Sequence, residues 1–275
     1  MFSTAVHYLM KYVRLSTVLV VLTVLFAGCS GGGVTDTEAT PAGTTTGATT
    51  GGTTASGGLA LTDADTRLRD AGSFTTAWSY SVTAADGTTS SLTQSYHIDS
   101  NANRSLQRLE TTGSDSGLDI ETFVADGTSY SRYGDGDQVQ YVSSDQPAGV
   151  FETATGYASG YSTGLESDAS FVGTETFDGV TVSRYEYDNT DAWSTYNQGT
   201  LDSTFETDET VTVTDFTVAV LVDSDNVARL TTWTLTGETE SGQTVSVDWR
   251  YSVTDVGSTT VEDPDWLADA QAQSS

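Results

Sequence analysis

One cysteine, Cys29, and two histidines, His7 and His97, are all that 275 residues offer for thiol or imidazole chemistry. A single thiol forbids an intrachain disulfide. Beyond Cys29 only His97 remains, so no His pair and no His-rich metal cage can be built. His97 lies between Tyr96 and Ile98 and beside Asp99, on the opposite parity from its apolar neighbours. A Ser-His-Asp relay would need that imidazole oriented by an acid and a nucleophile on a sharp turn. His97 is read instead as a solvated strand histidine. Among 38 acids some pair always falls at the ~5–9 Å used by glycosidases, but none stands apart from the rest. Asp135-Gly136-Asp137 and Asp223-Ser224-Asp225-Asn226 begin like calcium loops, lack the distal Glu, and sit where turns are expected. No catalytic residue, metal or cofactor is assigned, and the chain is read as non-enzymatic. The five Trp and thirteen Tyr are the one enriched set with binding potential.

The cysteine has a different use. Residues 15–27 form an apolar run of about a dozen residues behind Lys11 and Arg14, and end at Phe26-Ala27-Gly28-Cys29. A basic start, an apolar core and small residues before a cut describe a secretory signal peptide. The run is shorter than the ~18–20 apolar residues that span a bilayer securely. Phe26-Ala27-Gly28-Cys29 resembles the lipobox of secreted lipoproteins, whose cysteine receives a thioether-linked lipid, with Phe26 in place of the usual Leu. Residues 1–28 are therefore expected to be a leader, and Cys29 a lipidation site holding the chain on the outer face of the cell membrane. Residues 29–58 are almost all Thr, Gly, Ala and Ser, with no aromatic residue. They cannot bury enough apolar surface to offset ordering, and read as a tether with a reach of ~30 Å.

Removing residues 1–28 takes away Lys11 and Arg14 and no acid, so the net charge moves from −28 to −30. Every remaining base is an arginine. Such a surface repels phosphate backbones and excludes nucleic acid as a partner. The acids are scattered singly through patterned segments, which favours a folded domain in an acidic coat. At −30 self-repulsion is severe unless salt shortens the Debye length, from ~8 Å at 0.15 M to ~3 Å at 1 M. The absence of lysine beyond Lys11 and the abundance of Asp fit work in concentrated salt, as in a halophilic archaeon.

Residues 59–275 read as one domain. Residues 61–70 predict a short helix with Thr62 as its cap and Gly72 as its stop. The period then becomes two. Phe74, Trp78, Tyr80 and Val82 share one face, as do Leu92, Tyr96 and Ile98, then Leu118, Ile120 and Val124, and finally Val245, Val247, Trp249, Tyr251 and Val253. Alternation of this kind predicts sheets with one dry face and one wet. Asp86-Gly87, Asp126-Gly127, Asp178-Gly179, Asp225-Asn226 and Ser241-Gly242 supply hairpin turns. About eleven strands result, nearly all joined by short antiparallel links. Val211 and Val213 are out of parity with Phe216, Val218 and Val220, which predicts a bulge near Thr214-Asp215. Residues 145–164 and 191–202 break the pattern and should carry a short helix or lid each. Pro264 suits the start of a terminal helix. Asn103-Arg104-Ser105 is an N-glycosylation acceptor.

A lipobox, a Thr/Gly tether, a helix leading into a long antiparallel meander, and a terminal Pro264-Asp265-Trp266-Leu267 helix together resemble halophilic archaeal lipoproteins. The supporting stretches are Tyr130-Ser131-Arg132-Tyr133, residues 176–185, Val220-Leu221-Val222-Asp223 and residues 254–258. That group in turn resembles the LolA/LppX class of lipoprotein carriers. The resemblance implies a mainly β, open antiparallel half-barrel of about eleven strands whose concave face holds acyl chains. The aromatic residues that parity assigns to such a wall are Trp78, Tyr80, Tyr96, Trp233, Trp249 and Tyr251. Parity leaves open whether they line a cavity or fill a core. The function expected is that of a lipid-anchored surface protein carrying a hydrophobic ligand such as a lipid. The alternative is a non-enzymatic envelope module that engages surface proteins or glycans.

Overall fold

The computed structural model describes residues 59, 61–62, 64–113, 119–134, 139–145, 149–154, 169–188 and 209–273. All lie in the second of two units into which the chain divides, Thr54–Ser275. The leader, Cys29, the tether, residues 135–138 and most of the two pattern-breaking stretches, with Tyr157, Tyr161, Trp193 and Tyr196, lie outside the described residues.

Helix α1 (Ala64–Ala71) is followed by β1 (Ser73–Thr83), β2 (Thr89–Asp99), β3 (Arg104–Thr112), β4 (Asp119–Ala125), β5 (Thr128–Tyr133), β6 (Gln140–Ser144), β7 (Ser170–Phe177), β8 (Val180–Asp188), β9 (Val211–Val222), β10 (Ala228–Thr239), β11 (Thr244–Thr254) and α2 (Leu267–Gln273). Residues 150–154 add a helical turn. The strands form one open antiparallel sheet in the order β6-β5-β4-β3-β2-β1-β11-β10-β9-β8-β7. Two meanders, β1 to β6 and β7 to β11, are thus joined through the β1–β11 pair, where Trp78 faces Tyr251 and Tyr80 faces Trp249. The mainly β, eleven-stranded expectation is met. Among the described residues no helix is long and apolar enough to cross a membrane.

Local sequence explains the joints. Asp126 and Gly127 both take positive φ (52° and 79°), as do Asp178 and Gly179 (51° and 75°). Two consecutive left-handed residues make the tight turn whose twist matches its strands, and Asp-Gly tolerates it best. The β9–β10 register skips one residue between Asp215↔Thr236 and Val213↔Gly237. Thr214 is therefore the extra residue, and the bulge returns Val211 and Val213 to the face of Phe216. Helix α1 starts at Ala64, later than a cap at Thr62 would place it, and the Thr62 amide instead donates to the Asn226 carbonyl. Helix α2 starts at Leu267, three residues beyond Pro264.

Cross-strand register assigns every side chain to one of two faces. The first face carries Phe74, Trp78, Tyr96, Ile98, Val124, Trp249, Tyr251 and Val253 in one buried cluster, against Ala64 and Leu68 of α1 and Val150 and Ala154. A neighbouring cluster on the same face gathers Phe216, Val218, Val220, Leu235, Val245 and Val247 with Leu59. The expectation of a wet second face does not hold. Leu106 and Phe123 are buried there against Val261, with Trp266 and Leu267 packed beside them. Val182, Ala219 and Leu221 are buried on that face too. The segment after β11 crosses the outside of β2, β3 and β4 as a strap and gives the second face its own small core.

The charge pattern follows the fold. Seven of the eight arginines beyond Cys29 pair with carboxylates. The eighth, Arg250, lies over the Phe177 ring at 6.0 Å. Among the described residues Arg229, 7% exposed, is the one buried cation: its guanidinium reaches Asp178 at 2.8 Å and Asp223 at 3.5 Å, and its Nε donates to the Val253 carbonyl. The same Asp178 oxygen accepts the Asp255 amide at 2.8 Å. One arginine thereby ties the β7–β8 turn, the β9–β10 turn and the end of β11 together.

Candidate functional site

All six aromatic residues singled out by parity lie on the first face. Trp78, Tyr96, Trp249 and Tyr251 are buried, whereas Tyr80 and Trp233 are half-buried. Trp233 and Trp249 are direct cross-strand partners and stack with ring centroids 6.2 Å apart and planes 12° from parallel. Trp249 and Tyr251, two residues apart on β11, continue the stack at 6.4 Å and 17°. Tyr80 meets Trp233 edge-on at 6.2 Å. Each ring that removes ~150–250 Å² from water, at ~25 cal/mol per Å², contributes about 4–6 kcal/mol before entropy. Trp78 also satisfies its own polar edge, since its indole N–H donates to Gln94 Oε1 at 2.9 Å across the β1–β2 pair. The buried Thr76 hydroxyl, on the same face between Tyr96 and Val253, meets no hydrogen-bond partner among the described residues.

This apolar face does not stop at its buried centre. Register carries it outward to Tyr133 and Val142 on β5 and β6, and to Phe171 on β7. Those side chains are 39%, 55% and 50% exposed. Phe171 packs edge-on to Tyr185, which is half-buried.

A second arrangement lies on the opposite face, and sequence reading missed it. Residues 260–266 of the strap and strands β2 to β4 enclose a cleft of about 470 Å³. Its wall is Trp266, and Leu106, Val261 and Pro264 supply apolar surface. Polar groups come from His97, Arg108, Glu121, Thr260 and the exposed acids Glu262, Asp263 and Asp265. Glu121 is held twice: Oε1 accepts from Arg108 Nε at 2.7 Å, and Oε2 accepts from the Trp266 indole N–H. Trp266 stacks on Tyr141 at 6.1 Å, and Arg104 pairs with Asp263 while lying 5.0 Å from the Phe123 centroid. His97 is not solvated as expected. It is half-buried, with Nδ1 3.3 Å from the Thr75 hydroxyl, which also meets Thr259 at 3.0 Å. Burial, and after it the charge of Arg108, lowers the His97 pKa from 6.5, with Asp255 opposing. The signal available in the sequence was Leu106, Phe123 and Tyr130, three large apolar residues on the supposedly wet parity.

A smaller cleft of about 290 Å³ lies between α1 and the β9–β10 turn, with the Arg67–Asp225 and Arg229–Asp223 pairs among its walls. Asn103 is exposed in the β2–β3 turn, at φ 58°. The spacing Gly-x-Ser-x-Gly occurs at residues 28–32 and 160–164, both outside the described residues.

The sequence profile of a family of unknown function, DUF7537, matches residues 14–270, a span that includes Cys29 and the whole of the apolar run at residues 15–27. No curated protein matches the chain. Among solved structures, LprF from Mycobacterium bovis is similar at a TM-score of 0.31 and 13% identity, over 73% of this chain and 96% of that one. A LolA superfamily protein, NE2245 from Nitrosomonas europaea, is similar at a TM-score of 0.21 and 12% identity, over 75% of this chain and 97% of that one. The fold described above stands on strand order and register rather than on these likenesses.

Proposed function

We propose, for a chain that belongs to the DUF7537 family of unknown function, that its first face binds an apolar molecule of the lipid class, without covalent chemistry. The observation that carries this reading is the continuity of the face. A stacked ladder of Trp233, Trp249 and Tyr251 opens through half-buried Tyr80 and Trp233, and apolar side chains extend to the exposed rims at Val142 and Phe171. A face serving only as a core ends where its cover ends. Wide aromatic walls with few polar groups suit acyl or isoprenoid chains. The Thr76 hydroxyl is a polar point within reach of that wall. Cys29 carries the lipid anchor, residues 29–58 the tether, and the domain works on the outer face of the cell membrane in concentrated salt. Asn103, exposed in its turn, is the glycan acceptor.

The test is native mass spectrometry of the chain purified in volatile salt after exposure to a total membrane lipid extract. One lipid per chain supports the reading, and the mass names the lipid. A chain that stays bare contradicts it. A second reading rests on the sheet edges. Val142 on β6 and Phe171 and Val172 on β7 are half exposed or more on the two strands that end the sheet among the described residues, and a sheet edge can pair with another chain. A bare chain that forms a complex with another envelope protein would favour that reading.

A further inference from the structure

We infer that the cleft between the strap and the second face is a binding site for a neutral saccharide of one or two rings. Its volume, about 470 Å³, lies within the ~300–1,000 Å³ of small-molecule clefts. A sugar ring has an apolar face and a polar rim, and the cleft has both surfaces. Trp266 is a half-buried indole whose tilt is fixed by Tyr141 and by its bond to Glu121, and Leu106 and Val261 lie beside it. Around it stand acceptors (Glu121, Glu262, Asp265), donors (Arg108) and groups able to act as either (His97, Thr260). Each sugar hydroxyl donates and accepts, so a mixed rim of planar side chains matches vicinal hydroxyls better than any single charge.

Three further observations narrow the class. The charges of the two arginines nearest the cleft are already offset, Arg108 by Glu121 through its Nε and Arg104 by Asp263, although Arg108 keeps further N–H donors. Glu262 and Asp265 stand exposed at the mouth and repel an anion. A phosphate, sulfate or uronate ligand is therefore disfavoured. Among the described residues no group of three His, Cys, Asp or Glu is arranged to hold a metal ion. Glu121 is immobilised by its two bonds before any ligand arrives, which lowers the ordering cost of binding. Hydrogen bonding and stacking also survive the high salt in which long-range charge attraction is screened. The inference stands apart from the apolar reading of the first face, because it uses no residue of that face.

The experiment is saturation-transfer NMR on the whole chain with cellobiose, maltose, mannobiose and chitobiose, alongside digalacturonate and choline as charged comparators. At least one neutral disaccharide should saturate and show transfer to its ring protons. Trp266→Ala should weaken that binding about tenfold. Asp265→Asn, at an exposed position that leaves the strap core intact, should weaken it about threefold. Silence from every neutral disaccharide would overturn the inference. So would transfer to digalacturonate or choline alone, or wild-type binding in the Asp265→Asn and Trp266→Ala chains alike.

Discussion

The two faces of the one sheet are built by different means. The first is a broad apolar surface to which all eleven strands contribute, with stacked rings at its centre and cover from α1 and the helical turn at 150–154. The second is mostly polar: a strap of about twenty residues gives it a small core at Leu106, Phe123 and Val261, and Val182, Ala219 and Leu221 are buried farther along it. The first is stabilised by area. The second is held by particular contacts: Arg104 with Asp263, Arg108 and Trp266 with Glu121, and Thr75 with Thr259. Apolar burial does not titrate and is not screened by salt, and it recognises by shape, whereas polar contacts recognise by direction and their charged members respond to pH and to screening. A single sheet can in this way offer a greasy surface and a hydrogen-bonding cleft back to back.

The contrast is sharpest in core truncations. Phe74→Ala, at a fully buried position in the main cluster, should cost about 3–5 kcal/mol in denaturant unfolding. Leu106→Ala, under the strap, should cost about 2 kcal/mol, at the low end for such changes because the strap can settle onto the gap. Equal losses would mean that the strap is as much part of the global core as the first face. Arg229→Met falls between these two, at about 3 kcal/mol, because it leaves the Asp178 and Asp223 carboxylates without their cation at the end of the sheet. Recovery of stability in Arg229→Met with Asp178→Asn would show that the stranded charge is the cause. The smallest effect is titration of the second face. His97 has a lowered folded pKa, so the unfolded chain binds its proton more readily. Its contribution is complete above the unfolded value near 6.5 and is lost as pH falls through that value toward the folded one. His97→Gln should therefore flatten the stability profile between pH 7 and 5 relative to the parent, and a parallel pair of profiles would deny the burial of His97.

The strands and the first face were legible in the sequence because a period of two and a left-handed turn residue are local properties. Trp78, Tyr96, Trp249 and Tyr251 could be put on one face from parity alone, and the misfit of Val211 with Phe216 located the Thr214 bulge. The second face was not legible for an equally physical reason. Parity says which side chains share a face, and nothing about what returns to cover it. Pro264-Asp265-Trp266-Leu267 could be read as the first turn of a helix, but its docking against Leu106 and Phe123 is a tertiary fact. His97 was misread with it: a histidine opposite the apolar stripe is solvated only if its face is. Whether the stacked rings accept a ligand is likewise beyond periodicity, since core and wall share one parity.

The most direct measurement is quenching of tryptophan fluorescence by a dibrominated lipid, on the parent chain and on Trp233→Phe, Trp249→Phe and Trp266→Phe. Bromine quenches at contact range, so the variants report which face the acyl chain touches. Saturable quenching that falls in Trp233→Phe and Trp249→Phe and is unchanged in Trp266→Phe is the result predicted here. Absence of quenching, or quenching lost only in Trp266→Phe, would contradict an apolar binding face and leave the ring stack as a core alone.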